Sequence, residues 1–328
     1  MGNFQNITDV PGIKVGNEED SKGYTGCTVL VMENGAVCGV DVRGSAPGTR
    51  ETDLLHPLNL MEKVHGICLA GGSAYGLDAA SGVMRFLEDK GVGLDVGVGV
   101  VPIVPSAVLF DLPVGDPLAR PDQKMGYQAA SNAAQGHFPL GNSGAGCGAT
   151  VGKVAGHHRA MKGGLGSASF NLPNGLIVGA IVAVNAIGEI RYPNTGEVIA
   201  GARDDLGYIR SSLEWMLEQP EIPLTVGTNT TIAVVACNAD LTKSQATKVA
   251  SMAHDGLART IYPVHTMYDG DTIFSLATGE VSASVDLIGT LAADVLAEAV
   301  IQAILNAEGI VNFPSSKDVR KSLRKGRE

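Results

Sequence analysis

The segment from residue 226 to residue 241 constrains this chain more than any other part of it. Residues 226–229 have the composition of a loop, Thr230 and Thr231 follow, and an uninterrupted apolar run covers Ile232 to Ala236. A short apolar run next to a loop is typical of a buried β-strand. The segment therefore predicts an interior strand with a hydroxyl residue at its mouth.

Thr230 is placed to be a nucleophile, but no base lies beside it in the sequence. Cleavage of the Asn229–Thr230 bond would give Thr230 a free α-amino group, whose unperturbed pKa is about 7.7–8.0. Such an amine can activate the hydroxyl of its own residue. Taken alone, the segment fits an ordinary loop-to-strand junction better than a catalytic site, and both interpretations stay open at this point.

The composition predicts a protein with a sizeable core, since 45% of the 328 residues are hydrophobic and 18% are charged. The length allows one large domain or two ordinary ones. A formal net charge of −10 argues against nucleic acid or an anionic membrane surface as a partner.

Five scattered cysteines, none in a CxxC pair, suggest neither a disulfide framework nor a zinc site and predict buried, reduced thiols. The first ten residues lack the pattern of a signal peptide, and no stretch approaches 18 uninterrupted apolar residues. The sequence therefore predicts a soluble, cytoplasmic protein without a membrane partner.

Strand and helix patterns are interspersed along the chain, which predicts an α/β or α+β protein with helices layered over sheets. Two strands, Cys27 to Met32 and Ala36 to Val42, are expected to form a hairpin around the Asn34-Gly35 turn. Further strands are predicted over 66–70, 176–186 and 272–277, and helices over 74–89, 123–134, 211–217, 242–260 and 287–305. The charged, turn-rich segment 188–224 is expected to be exposed and cleavable.

Asp269 and Asp271 lie at the entrance to the predicted strand 272–277, separated by Gly270. In extended backbone two residues that are two positions apart point to the same side. Such a carboxylate pair can orient and balance an ammonium group. The alternative is a polar turn that caps the strand.

Asn185 and Lys153 are two further candidates. Asn185 lies inside an apolar strand, where an unsatisfied amide is costly, and its side chain can donate to an oxyanion or make a structural hydrogen bond. Lys153 lies in the Gly-rich stretch 141–169, after a run of glycines, and base rates favour a surface position for it over a buried one near a site.

Taken together, these motifs resemble the family of L-aminopeptidase/D-esterases, which includes the β-aminopeptidases and the 6-aminohexanoate-oligomer (nylon-oligomer) endohydrolase. The Asn-Thr junction is most similar to the nylon-oligomer branch. Motifs in the family's order run through nearly the whole chain: Ile7 to Gly16, Asp41 to Glu51, Leu69 to Leu77, Gly148 to Lys153, Val182 to Asn185 and Asp269 to Thr272.

The resemblance implies a precursor that cuts itself between Asn229 and Thr230, giving an α chain of residues 1–229 and a β chain of residues 230–328. It implies one domain with a four-layer αββα sandwich of the N-terminal nucleophile hydrolase type, and homotetramers of αβ units. No metal or organic cofactor is implied.

Carried over by position, Thr230 matches the nucleophile, and Asp269 and Asp271 match the pair that holds its amine and hydroxyl. Asn185 matches the oxyanion donor, and Lys153 matches a lysine that lines the site. One position departs from the pattern, because Phe110 stands where an active-site Tyr is expected.

The sequence thus predicts a self-processing N-terminal threonine hydrolase that cleaves amide and ester bonds in small substrates. The substrate choice among α-peptides, β-peptides and ω-amino-acid oligomers stays open. The alternative is a non-catalytic α/β protein that binds a small ligand with the Gly-rich stretch 141–169.

Overall fold

The computed structural model describes residues 4–218 and 229–325. Within them the strands are β1 Lys14–Asp20, β2 Thr25–Val42, β3 Thr49–Arg50, β4 Lys63–Ala70, β5 Leu94–Asp95, β6 Val100–Val101, β7 Ser106–Val108, β8 Thr150–Val151, β9 Met161–Lys162, β10 Gly164–Asn171, β11 Ile177–Asn185, β12 Glu189–Arg191, β13 Val198–Ala200, β14 Thr230–Ala239, β15 Ile261–Tyr262 and β16 Thr272–Val281. The helices are α1 Ala79–Asp89, α2 Gln123–Ser131, α3 Ser212–Glu218, α4 Lys243–Thr260, α5 Val285–Asn306 and α6 Ser316–Lys325.

A nine-stranded sheet organises the fold, in the order β10-β11-β14-β16-β2-β4-β7-β3, with β1 also paired to β2. The β14–β16 and β4–β7 pairs are parallel, and the other pairs of this sheet are antiparallel. Strand β2 pairs with β1 and β4 through its first part and with β16 through its last part. This long strand therefore joins the two halves of the sheet.

The core has three layers, and neighbouring side chains of one strand point into different layers. In β14, Val234 faces a core shared with β2 and β4, whereas Val235 faces the core of α4 and α5. In β4, Leu69 faces the shared core and Cys68 faces the core of α1 and α2. Because residues two apart point to the same face of a strand, the order of layers is helix, sheet, sheet, helix, and the predicted αββα sandwich is confirmed.

Helix α4 begins with a capping box between Thr242 and Gln245, which satisfies free backbone groups of its first turn. Among the described residues, α5 is the one helix long and apolar enough to cross a membrane, but 67% of its apolar window is buried inside the protein. The apolar surface of α5 is thus used in packing against α4, β10 and β11. All five cysteines are buried and free, as predicted.

Two sequence predictions are wrong. The expected hairpin at Asn34-Gly35 does not form, because β2 runs through it as one strand with a register irregularity between Val31 and Ala36. Pairing with β1, β4 and β16 overrides the local turn preference. The segment 188–224, which the sequence predicts to be exposed, contains β12 and β13, and residues of these strands such as Ile190 and Ile199 are buried. Residues 219–224 of this segment and 226–228 of the predicted loop lie outside the described residues.

Candidate active site

Three strand ends meet around Thr230. It is the first residue of β14, and its partner in the antiparallel register is Asn185, the last residue of β11. On the other side, β14 runs parallel to β16, and Asn229 forms a bridge with Asp269 just before β16 begins. The sheet therefore gathers residues that are far apart in sequence.

The peptide bond between Asn229 and Thr230 is held from two sides. The Thr230 hydroxyl donates a short hydrogen bond to the Asn229 carbonyl oxygen, and the Gly270 N–H donates to the same oxygen at 3.0 Å. A Cβ at Gly270 would lie 2.9 Å from Thr230 Oγ1 and 2.8 Å from the Ala46 carbonyl oxygen. Glycine is therefore needed for the backbone to approach the hydroxyl this closely.

The two carboxylates have different tasks in the uncut chain. Asp271 Oδ1 accepts from the Thr231 N–H at 2.6 Å, and its Oδ2 accepts from the backbone N–H of His265 at 3.2 Å and contacts His265 Nδ1 at 2.8 Å. Asp269 Oδ2 accepts from the Thr266 N–H at 2.6 Å. Asp271 thus fixes the residue that follows Thr230, whereas Asp269 is held by the loop before it.

Burial and, after it, the neighbouring Asp271 carboxylate raise the pKa of Asp269 to about 6, although hydrogen bonds from Thr266 and the charge of Lys153 oppose the shift. A carboxylate with this pKa is largely ionised above neutral pH and is a better proton acceptor than an ordinary aspartate.

Lys153 is buried with 2% of its surface exposed, so the base-rate expectation of a surface lysine is wrong. Its Nζ donates to the main-chain oxygen and to Oδ1 of Asn185, both at 2.8 Å. Burial lowers the pKa of Lys153 to about 7, and the nearby Asp269, Asp111 and Asp271 partly counter that shift. A buried lysine whose pKa lies near neutral pH and which interacts with carboxylates is a common feature of catalytic sites.

Asn185 is fully buried and uses both ends of its amide. Its Oδ1 accepts from Lys153 and from the Thr150 N–H at 3.0 Å, and its Nδ2 donates to the Phe110 carbonyl oxygen at 3.1 Å. Phe110, at the position where the resemblance leads us to expect a tyrosine, therefore contacts the site through its main chain.

Two groups near this region have no signal in the sequence. His265 is partly buried, and its spacing to Asp271 matches no known motif. Lys162 lies in the Gly-rich stretch, and its Nζ donates to the carbonyl oxygens of Gly146, Ala149 and Gly163 at 2.8–3.0 Å.

The structure thus brings together Thr230, Asn185, Lys153 and the acidic pair in one buried cluster. Asn229 and Thr230 are 0% and 3% exposed, so the uncut chain keeps the hydroxyl from solvent. Over residues 4–218 and 229–325, no group of three or more His, Cys, Asp and Glu side chains is arranged to hold a metal.

Comparison with known proteins places the chain in a family of hydrolases. The pattern of peptidase family S58 matches residues 5–317. An uncharacterized aminopeptidase of Mycobacterium tuberculosis is 42% identical over 96% of this chain and 98% of its own length. The 6-aminohexanoate-oligomer endohydrolase of Paenarthrobacter ureafaciens is 31% identical over 90% of this chain and 84% of its own length.

Solved structures show the same fold at low sequence identity. The L-aminopeptidase D-Ala-esterase/amidase of Ochrobactrum anthropi, described as a variant of the Ntn hydrolase fold, superposes with a TM-score of 0.74 at 19% identity, over 99% of this chain and 95% of that one. A Burkholderia β-aminopeptidase gives a TM-score of 0.70 at 19% identity, over 99% and 94% of the two chains. The family match and the relatives of 31–42% identity favour a hydrolase over the non-catalytic ligand-binding alternative. The chain belongs to peptidase family S58 and is an amide hydrolase with the N-terminal nucleophile hydrolase fold.

Proposed function

We propose that this chain cuts its own Asn229–Thr230 bond and then uses Thr230 as the N-terminal nucleophile of an aminopeptidase. The products of the cut are an α chain of residues 1–229 and a β chain of residues 230–328. One observation carries the proposal: the Thr230 hydroxyl lies against the carbonyl group of its own preceding peptide bond, and the Gly270 N–H holds that carbonyl oxygen.

Self-cleavage begins when Thr230 Oγ1 attacks the carbonyl carbon of Asn229. Asp269 takes the hydroxyl proton, and the Gly270 N–H stabilises the negative charge on the carbonyl oxygen. The C–N bond then breaks with a proton returned to the nitrogen, which leaves an ester between Asn229 and Thr230 Oγ1 and a free Thr230 amine. Water hydrolyses the ester to give the Asn229 carboxylate and the free hydroxyl.

In turnover the Thr230 amine is the base for its own hydroxyl, as in other N-terminal threonine hydrolases. The hydroxyl attacks the substrate carbonyl, the leaving amine takes the proton, and water releases the acyl group. Asn185 is the proposed oxyanion donor. A side-chain amide has two N–H groups, and the contact with Phe110 uses one of them, so the second can serve the substrate.

An amide with a free amino end is the proposed substrate. Asp269 and Asp271 supply negative charge beside Thr230 that balances the Thr230 ammonium and a substrate ammonium group. An α-aminopeptidase activity is favoured over cleavage of ω-amino-acid oligomers, because the relatives named aminopeptidase are 42–43% identical and the oligomer hydrolases 31%. Assembly into a tetramer of αβ units and a cytoplasmic location are part of the same proposal.

Mass spectrometry of the purified protein tests the cut. Wild type should give two chains, one with Thr230 at its N-terminus, whereas Thr230→Ala should stay intact and Thr230→Ser, which keeps a hydroxyl, should be cut. A wild-type chain that stays whole after long incubation, or a Thr230→Ala chain that is cut at the same bond, would defeat the proposal.

The cut enzyme is then assayed with α-amino amides, β-peptides and 6-aminohexanoate oligomers. Turnover of α-amino amides above the others is expected. A preference for 6-aminohexanoate oligomers would assign the chain to the second substrate class.

A further inference from the structure

His265 lies in the loop that leads into the acidic pair and makes two contacts with one carboxylate oxygen. Its ring Nδ1 is 2.8 Å from Asp271 Oδ2, and its backbone N–H donates to the same atom at 3.2 Å. The Asp271 side chain is 2% exposed and the His265 side chain 16%. A hydrogen bond to a buried carboxylate is stronger than one between neutral groups.

The other oxygen of Asp271 reaches the cleavage site, since it accepts from the Thr231 N–H at 2.6 Å. A continuous path of contacts therefore leads from the His265 ring through Asp271 to the residue that follows the nucleophile. Without the ring, the longer backbone contact is the one that Oδ2 keeps among the described residues, and the carboxylate plane is less firmly fixed.

The ring of His265 is itself held in place. The ring of His254 packs against it edge-on at a centroid distance of 4.8 Å, and His254 Nε2 lies 3.1 Å from the Asp41 carbonyl oxygen. His265 also has a φ of 57°, in the left-handed region, where Asn and His are found more often than most residues.

A direct role as the base is not supported. The second ring nitrogen, His265 Nε2, is buried and has no hydrogen-bond partner among the described residues. The ring is therefore oriented toward the carboxylate rather than toward the reacting bond.

We propose that His265 is a positioning residue that orients the Asp271 carboxylate and, through the Thr231 N–H, sets Thr230 for self-cleavage and for turnover. This inference rests on the proposed function and assigns the site a histidine beyond the residues that the family resemblance implies. It predicts that the position of the ring donor, rather than the bulk or polarity of the side chain, is what the reaction needs.

His265→Asn and His265→Gln test this prediction as a matched pair. Both carry an amide and both are polar, but only Asn places an N–H where Nδ1 lies, and Asn tolerates the left-handed backbone. The first-order rate of self-cleavage should stay within about threefold of wild type in His265→Asn and fall about 10-fold to 100-fold in His265→Gln, the range expected when one hydrogen bond to a charged group is lost.

After the slower variant has been cut, its kcat should be reduced with KM within about twofold of wild type, since Asp271 orients the nucleophile rather than the substrate. His65→Gln is the control for loss of a buried imidazole, because His65 is on β4 and accepts from the Ile103 N–H. It should be cut at the wild-type rate.

Equal rates in His265→Asn and His265→Gln would overturn the inference while leaving the proposed function intact. The inference would also be overturned if the rate of self-cleavage fell in His265→Asn and His265→Gln by the same factor as in His65→Gln, because the loss would then be a structural effect of removing an imidazole. A wild-type chain that is not cut would defeat the proposed function itself, so the two failures are distinguishable.

Discussion

Two buried clusters in this protein have nearly the same ionisable groups. The site cluster consists of Lys153, Asn185, Asp269, Asp271 and Thr230. The loop cluster consists of Lys162, Asp111 and Thr25. Burial lowers the pKa of each lysine to about 7 and raises the pKa of Asp269 and of Asp111 to about 6.

The partners of these groups differ. In the loop cluster, Lys162 binds three carbonyl oxygens, and Asp111 accepts from the Thr25 hydroxyl at 2.8 Å and from the Gly72 N–H at 2.7 Å. In the site cluster, a hydroxyl lies against a peptide carbonyl. A shifted pKa therefore reports burial, whereas reactivity also needs a nucleophile placed against the bond that breaks.

The two clusters are joined by one peptide. The Phe110 carbonyl accepts from Asn185 in the site cluster, and the next residue, Asp111, belongs to the loop cluster. The charge of Asp111 also acts on both lysines. To separate the roles of the two clusters, each variant in the site cluster must therefore be compared with the equivalent variant in the loop cluster.

The largest expected difference is between Asp269→Asn and Asp111→Asn. Asp269 can take the hydroxyl proton only when it is ionised, so the rate of self-cleavage in wild type should rise as the pH passes about 6 and level off above it. Asp269→Asn should lose this pH-dependent rise and slow self-cleavage about 10²-fold to 10⁴-fold. Timed gel analysis from pH 5 to pH 8 measures both effects.

Asp111→Asn should keep the rise of the rate with pH and a self-cleavage rate within about threefold of wild type, because Asp111 contacts Thr25 and Gly72 rather than the scissile bond. If Asp111→Asn removed the rise with pH and Asp269→Asn kept it, the roles of the two clusters would have to be exchanged.

Several features of the site could be predicted from local sequence, and others could not. The apolar run after Thr231 and the polar Asn185 inside a strand are local signals, and both strands formed as expected. The pairing of Asn185 with Thr230 depends on the register of β11 against β14. No local sequence signal predicts this pairing, and the family resemblance alone predicts that Asn185 and Thr230 belong to one site.

The failures have a common physical cause. Asn34 and Gly35 carry a strong turn signal, yet pairing of β2 with its neighbours keeps the chain extended. Lys153 carries the charge typical of a surface residue, yet it is buried and its Nζ donates hydrogen bonds to the main-chain oxygen and Oδ1 of Asn185. In each position, tertiary contacts outweigh a preference that acts over only a few residues.

Replacing the two lysines by Met should separate activity from stability. Lys153→Met removes a charge beside Asp269 and two contacts with Asn185, so self-cleavage should slow about 10²-fold. Lys162→Met removes one donor from each of three buried carbonyl oxygens, but those of Gly146 and Ala149 keep the backbone N–H groups of Ala149 and Gly163 as donors. The free energy of unfolding should therefore fall by about 1–3 kcal/mol, the cost of about one unsatisfied buried group.

Cleavage rates are measured in the otherwise native chain, and urea unfolding in the uncut Thr230→Ala background, so that chain separation does not affect the stability measurement. A folded Lys162→Met protein that is cut as slowly as Lys153→Met would show that the loop cluster takes part in the chemistry.

The smallest expected effect belongs to the residue that joins the clusters. Phe110→Tyr adds a hydroxyl to a half-buried ring but leaves the main-chain carbonyl that holds Asn185 Nδ2. Self-cleavage should therefore stay within about threefold of wild type, whereas kcat/KM on an amide substrate should change by at most about tenfold, the value of one hydrogen bond. Steady-state kinetics of the two cut enzymes on one α-amino amide measures this change. A gain of 100-fold or more would mean that the ring, and not only the main chain, contacts the reacting group, and the site cluster would then extend to Phe110.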